Sequence, residues 1–166
     1  MPRSRHVRRL AATLMAATAL AACGGGSGTS AGSASSDSTT TAATLSKADY
    51  ITQANALCKT MNDSEKAIPD PGTDVQKQIL AIDKGNAIVS DTLTQLRALP
   101  VPSGDEATLL AIYVKVDTLV EDAAQLTAAL RAGDTAKAKT LTAKGKVDQK
   151  AANDASNSYG LTVCGS

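Results

Sequence analysis

The sequence predicts an all-α protein: an antiparallel up-down-up-down four-helix bundle that follows a disordered tether. Between residues 46 and 166, apolar residues recur every three or four positions, without the sustained alternation of a strand. Clusters of proline or glycine divide this stretch into four segments with short loops, which favours antiparallel neighbours. Gly, Ser, Thr and Ala make up most of the tether, residues 23–45, and such a composition buries too little apolar surface to fold.

Polar starts and proline-rich ends mark the first two helices. Ser46–Asp49 resembles a capping box that begins the first helix, and Pro69 and Pro71 end it. Thr73–Gln76 is a capping box for the second helix, which should run to residue 99. The inward positions of the first helix are Tyr50, Ala54, Leu57, Met61 and Ile68; those of the second are Val75, Ile79, Ile82, Asn86, Val89, Leu93 and Leu96.

The third and fourth helices are separated by a glycine turn. A capping box at Ser103–Glu106 begins the third helix, and Gly133 supplies the residue after its last turn. Asp134 or Thr135 is the next N-cap. Gly160 ends the fourth helix, and Leu161 suits the apolar contact of a Schellman cap. The inward positions of the fourth helix are mostly small: Ala138, Leu141, Gly145, Asp148, Ala152, Ala155 and Tyr159. Tyr50 and Tyr159 fall near the same end of the bundle and are expected to pack together.

Two of these inward positions are polar. If the helices are in register, Asn86 and Asp148 form a buried pair that is hydrogen-bonded across the core, and burial would raise the pKa of Asp148. In the alternative, the fourth helix rotates slightly and Asp148 faces water.

Residues 1–22 have the layout of a lipoprotein signal peptide. A basic segment with four arginines precedes an uncharged, mostly apolar run that is too short to anchor in a membrane. The run ends in Leu-Ala-Ala-Cys at residues 20–23, which resembles the bacterial lipobox. That resemblance implies that Cys23 carries a diacylglyceryl group and becomes the mature N-terminus. An ordinary signal peptide with an accidental cysteine is the alternative. The prediction is therefore an exported protein, lipid-anchored to the outer face of the bacterial cytoplasmic membrane or cell envelope.

The composition argues against several classes of function. The chain has 17 Lys+Arg against 16 Asp+Glu, and cleavage before Cys23 would leave an excess of acids, so no nucleic-acid partner is expected. Aromatic residues make up 2%, with no Phe or Trp, which leaves little for stacking platforms or aromatic cages.

Cys58 and Cys164 are the cysteines that follow Cys23. Export places them where thiols oxidise, and two cysteines allow a single intramolecular pairing, so we predict a structural disulfide. A redox-active pair or a metal site has weaker support, because the sequence contains no CxxC motif and its one histidine, His6, lies in the signal peptide.

The sequence offers no catalytic, cofactor or metal motif. Without histidine in the mature chain, a conventional Ser-His-Asp or Cys-His site cannot form, and neither HExxH nor a phosphate-binding loop is present. Asp117, Glu121 and Asp122 could hold a hard cation, but a solvated helix face is the favoured interpretation. We therefore predict no catalytic residues, no metal and no cofactor.

Residues 46–166 resemble a type of actinobacterial exported or lipid-anchored helical protein of uncharacterised function. The resemblance rests on Asp49–Cys58, Leu96–Pro102, Ala132–Asp134 and Tyr159–Gly165. It supports the cysteine pair and the four-helix layout, and it implies no activity or functional residues.

The function predicted first is a non-enzymatic, membrane-anchored envelope lipoprotein that acts as an interaction or accessory module, with an envelope protein as partner. The alternative is a carrier of an apolar small molecule or lipid in the bundle core. A carrier needs an apolar cavity of about 300 Å³ or more.

Overall fold

The computed structural model describes residues 44–166, and this part of the chain is all-α. Its four helices are α1 (Lys47–Lys66), α2 (Val75–Ala98), α3 (Glu106–Arg131) and α4 (Thr135–Tyr159). Each helix contacts the next one along the chain, which confirms the predicted helical bundle. The predicted signal peptide, Cys23 and the tether up to residue 43 lie outside the described residues.

The predicted caps of α1 and α4 are confirmed. The Ser46 hydroxyl accepts a hydrogen bond from the Asp49 amide (3.1 Å) and donates one to the Asp49 carboxylate (2.6 Å). Just before this cap, Leu45 packs against the core, so the ordered chain includes the last residue assigned to the tether. Asp134 is the N-cap of α4, and its carboxylate accepts from the Lys137 amide at 2.9 Å.

The starts of α2 and α3 differ from the predicted capping boxes. Asp74, not Thr73, caps α2, because its carboxylate accepts from two amides of the first turn. Asp105 is the N-cap of α3 but makes no side-chain cap bond. Its carboxylate instead accepts from the Tyr159 hydroxyl (2.7 Å), which links the start of α3 to the end of α4.

Gly160 turns the chain back after α4 in the predicted Schellman motif. Its φ of +110° lies in the left-handed region, and the amides of Leu161 and Gly160 donate to the carbonyls of Ser156 and Asn157. A Cβ atom at residue 160 would lie 2.9 Å from Cδ1 of Ile51, so a larger residue would also require the Ile51 side chain to shift. The turn buries Leu161 and directs residues 161–166, the C-terminal tail, along α1.

The buried side chains form two clusters at different levels of the bundle. The tyrosine cluster joins α1, α2, α3, α4 and the tail, whereas a smaller cluster lies between α3 and α4 and consists of Ala129, Ala138 and Leu141. In the tyrosine cluster, the rings of Tyr50 and Tyr159 meet edge to face with their centres 6.1 Å apart, as predicted. The buried members of the tyrosine cluster are Tyr50, Ala54, Cys58, Leu93, Leu96, Leu109, Ile112, Tyr113, Tyr159 and Leu161.

Within residues 44–166, none of the helices combines the length and the apolarity that crossing a membrane requires.

Candidate functional site

A cavity lies inside the bundle beside the cysteine pair. Its volume is about 130 Å³, and all four helices and the C-terminal tail contribute to its wall. The wall is mainly apolar and includes Leu93, Ile112, Val116, Ala152 and Leu161. We call this space the inner cavity.

A second, more open cavity adjoins the inner one between α2, α3 and α4. Its volume is about 340 Å³, and its apolar wall includes Ala123, Leu126 and Leu141. We call this space the outer cavity. The two cavities are adjacent and share part of their wall, because the same four residues line both: Glu65, Val89, Leu119 and Gln149.

Small residues keep the outer cavity open. A Cβ atom at Gly145 of α4 would meet no atom within 4 Å, and one at Gly85 of α2 would meet only Ile68, at an ordinary contact distance of 3.7 Å. The narrow inward face of α4 therefore leaves space instead of closing tightly against α2.

Glu65 is the charged residue at the junction of the two cavities. It lies in the last turn of α1, it is half-buried, and burial raises the pKa of its carboxyl group. Among residues 44–166, no side chain or backbone amide donates a hydrogen bond to the Glu65 carboxylate, and no cationic side chain lies within ion-pair distance of it. The other acid of the outer cavity, Asp122, is already paired with Lys144.

Cys58 and Cys164 close the inner cavity on one side. Their sulfur atoms are 2.00 Å apart, which is disulfide-bond distance and supports the predicted pairing. Asn55 and Asn62 of α1 hold the tail as well. Asn55 accepts from the Val163 amide (3.1 Å), and Asn62 donates to the Val163 carbonyl (3.0 Å). The sequence analysis missed both asparagines, since their partners lie about a hundred residues further along the chain.

The buried pair of Asn86 and Asp148 does not form. The Asn86 amide donates to the Val120 carbonyl of α3 (3.1 Å), and Asp148 accepts instead from Lys144 (2.7 Å), one turn earlier on α4. Asp148 lies at the bundle surface, where the hydrogen bond from Lys144 lowers the pKa of its carboxyl group. The alternative interpretation of Asp148, a solvated side chain, is therefore the right one, and the expected rise in its pKa is wrong.

Asp122 is the buried acid that the sequence analysis placed on a solvated face. It is only 7% exposed, and Lys144 reaches across from α4 to its carboxylate at 2.7 Å. Its neighbours Asp117 and Glu121 are exposed, as predicted. The signal for Asp122 was its spacing, three residues after Leu119 and four before Leu126, which places it beside the inward positions of α3.

Each hydroxyl group of the tyrosine cluster is hydrogen-bonded, that of Tyr159 to the Asp105 carboxylate. Tyr113 donates to the Leu96 carbonyl (3.2 Å), and Tyr50 in turn donates to the Tyr113 hydroxyl. Burial raises the pKa of Tyr50, Tyr113 and Tyr159 above the usual range of phenols, so these groups stay protonated at neutral pH. They stabilise the end of the bundle and offer no ready nucleophile. Within residues 44–166, no three His, Cys, Asp or Glu side chains are grouped so that they could hold a metal ion.

Comparison with known proteins adds no relative: no family model, curated protein or solved structure matches the chain. The resemblance to exported actinobacterial lipoproteins therefore stays a prediction.

Proposed function

We propose that this protein is a non-enzymatic carrier of an apolar small molecule, anchored to the outer face of the cell membrane through lipid on Cys23. The observation that carries the proposal is the pair of adjacent, mainly apolar cavities, the inner and the outer, which share part of their wall. The sequence analysis gave the carrier function as the alternative to an interaction module. We now favour the carrier, because the core leaves space between its two clusters.

The size of this space suits a small ligand. Binding sites for small molecules usually have volumes of about 300–1,000 Å³ and a mostly apolar lining with a few polar groups. The outer cavity alone, at 340 Å³, falls in this range. The inner cavity, at 130 Å³, is close to the apolar cavities of about 150 Å³ that hold one benzene-sized group.

A broader role as an envelope accessory module is compatible with this proposal. A carrier at the membrane surface has to receive its ligand from another component and pass it on. The proposed partners are therefore the membrane, through Cys23, and an envelope protein.

Filling the outer cavity should remove the ligand. In Gly145→Leu, the new side chain extends into space where a Cβ atom meets nothing within 4 Å, and leucine favours a helix more than glycine does. Native mass spectrometry of the protein purified from its own host should show a bound small molecule in the wild type and its loss in Gly145→Leu. The matched control, Gly145→Ala, adds one methyl group and should retain the ligand. A wild type whose mass is fully explained by the lipidated chain would contradict the carrier proposal.

Replacing Cys23 by alanine should release the protein from the membrane fraction, because the proposed anchor is attached to this thiol. Cell fractionation followed by immunoblotting measures the distribution, and Ser27→Ala in the tether is the control that should remain membrane-bound. Cys23→Ala protein that stays in the membrane fraction, together with accumulation of uncleaved wild type, would contradict the lipid anchor.

A further inference from the structure

We propose that the cavities bind an apolar ligand that carries a single positively charged amine, and that the carboxylate of Glu65 binds this amine. This inference deepens the proposed carrier function and depends on it. It names the chemical class of the ligand from the one charged group at the junction of the two cavities.

In the protein without ligand, the position of Glu65 raises the free energy of its ionised side chain. A half-buried carboxylate loses part of its hydration, and no described residue replaces the lost hydrogen bonds. A cation bound beside it would restore a counter-charge and a hydrogen-bond donor in surroundings where water screens the attraction poorly. Glu65 lines both cavities. The amine of a ligand can therefore lie beside its carboxylate while the apolar part of the ligand fills the inner or the outer cavity.

The other charges around the cavities do not favour an anionic ligand. Lys146 lines the outer cavity but is exposed, so its attraction for an anion is screened by water. Lys144 is occupied by Asp122 and Asp148, both at 2.7 Å.

The test compares three probes that share one ring and differ in charge: benzylamine, benzyl alcohol and benzoate. Their single ring matches the size of the inner cavity. The full lipid-anchored chain is placed in lipid nanodiscs and titrated by calorimetry at pH 7.5, with empty nanodiscs as the blank. We expect benzylamine to bind about tenfold more tightly than benzyl alcohol, and benzoate to bind most weakly.

Glu65→Gln keeps the shape of the side chain and removes its charge. It should reduce the affinity for benzylamine about tenfold, to that for benzyl alcohol, and leave benzyl alcohol itself unchanged. The matched control is Glu121→Gln, at an exposed position on α3, which should behave as the wild type. Because burial raises the pKa of Glu65, its ionised form destabilises the folded protein at neutral pH. Glu65→Gln should therefore unfold at the same temperature as the wild type or at a higher one.

The outcomes separate this inference from the carrier proposal. If benzyl alcohol binds but benzylamine binds no more tightly, or if benzoate binds best, the amine inference is overturned and the carrier proposal survives. If Glu65→Gln lowers the affinity for all three probes equally, Glu65 only shapes the cavity, and the inference is overturned as well. If none of the probes binds the wild type and native mass spectrometry finds no ligand, both proposals fail.

Discussion

Replacing Cys58 and Cys164 together by alanine is expected to lower the free energy of unfolding by about 4–5 kcal/mol. The two residues are 106 positions apart, so the bridge closes a loop that spans most of the described chain. In the chain-entropy model, a cross-link over such a distance restricts the unfolded state strongly. The bridge also pins the tail, whose Leu161 is buried in the tyrosine cluster and lines the inner cavity.

Urea unfolding of the wild type and the double variant, each with and without dithiothreitol, measures this contribution. Reductant should lower the stability of the wild type towards that of the double variant and leave the double variant unchanged. The asparagines of α1 would still hold the tail after reduction, through hydrogen bonds near 3 Å, so the folded state should persist in both proteins. Equal stability of the wild type with and without reductant would show that the bridge contributes nothing.

The helix boundaries could be predicted because their signals are local. Ser46 caps α1 through a bond to an amide three residues later, and Gly133 and Gly160 both have a positive φ in turns that favour glycine. Each of these features depends on a few neighbouring residues. The start of α3 was harder, because the carboxylate of Asp105 is used by Tyr159 from the far end of α4.

The charged residues of the core were predicted poorly, and the reason is physical. Glu65 lies four residues after the inward-facing Met61, and Asp122 lies between two inward leucines, yet both carry charges that are usually solvated. The burial of Asp122 depends on a cation that reaches it from another helix, whereas Glu65 is half-buried beside the cavities with no such cation among residues 44–166. Lys144 binds both Asp122 and Asp148. Its ammonium group compensates the charge of Asp122 inside the bundle and pairs with Asp148 at the bundle surface.

The cavities could not be derived from the sequence at all. An inward face of Ala and Gly can either let two helices approach closely or leave a space between them, and the same residues are compatible with both. The outcome depends on where the larger side chains of neighbouring helices meet. Here they gather in two separate clusters, and the space between α2 and α4 beside Gly145 stays open.

Leu109→Ala should lower the free energy of unfolding by about 2–5 kcal/mol, whereas Leu110→Ala should change it by no more than about 0.5 kcal/mol. The two leucines are adjacent in α3, so both substitutions change helix propensity equally. Leu109 is 1% exposed in the tyrosine cluster, and Leu110 is 59% exposed on the outer face of the helix. Removing the Leu109 side chain takes buried methyl groups from the core and leaves a void that the disulfide-bonded framework can only partly collapse. Chemical unfolding of both variants under the same conditions gives the comparison. If the two variants lose equal stability, then α3 does not turn Leu109 towards the core and Leu110 towards solvent. The residues of α3 that line both cavities would then have to be reassigned.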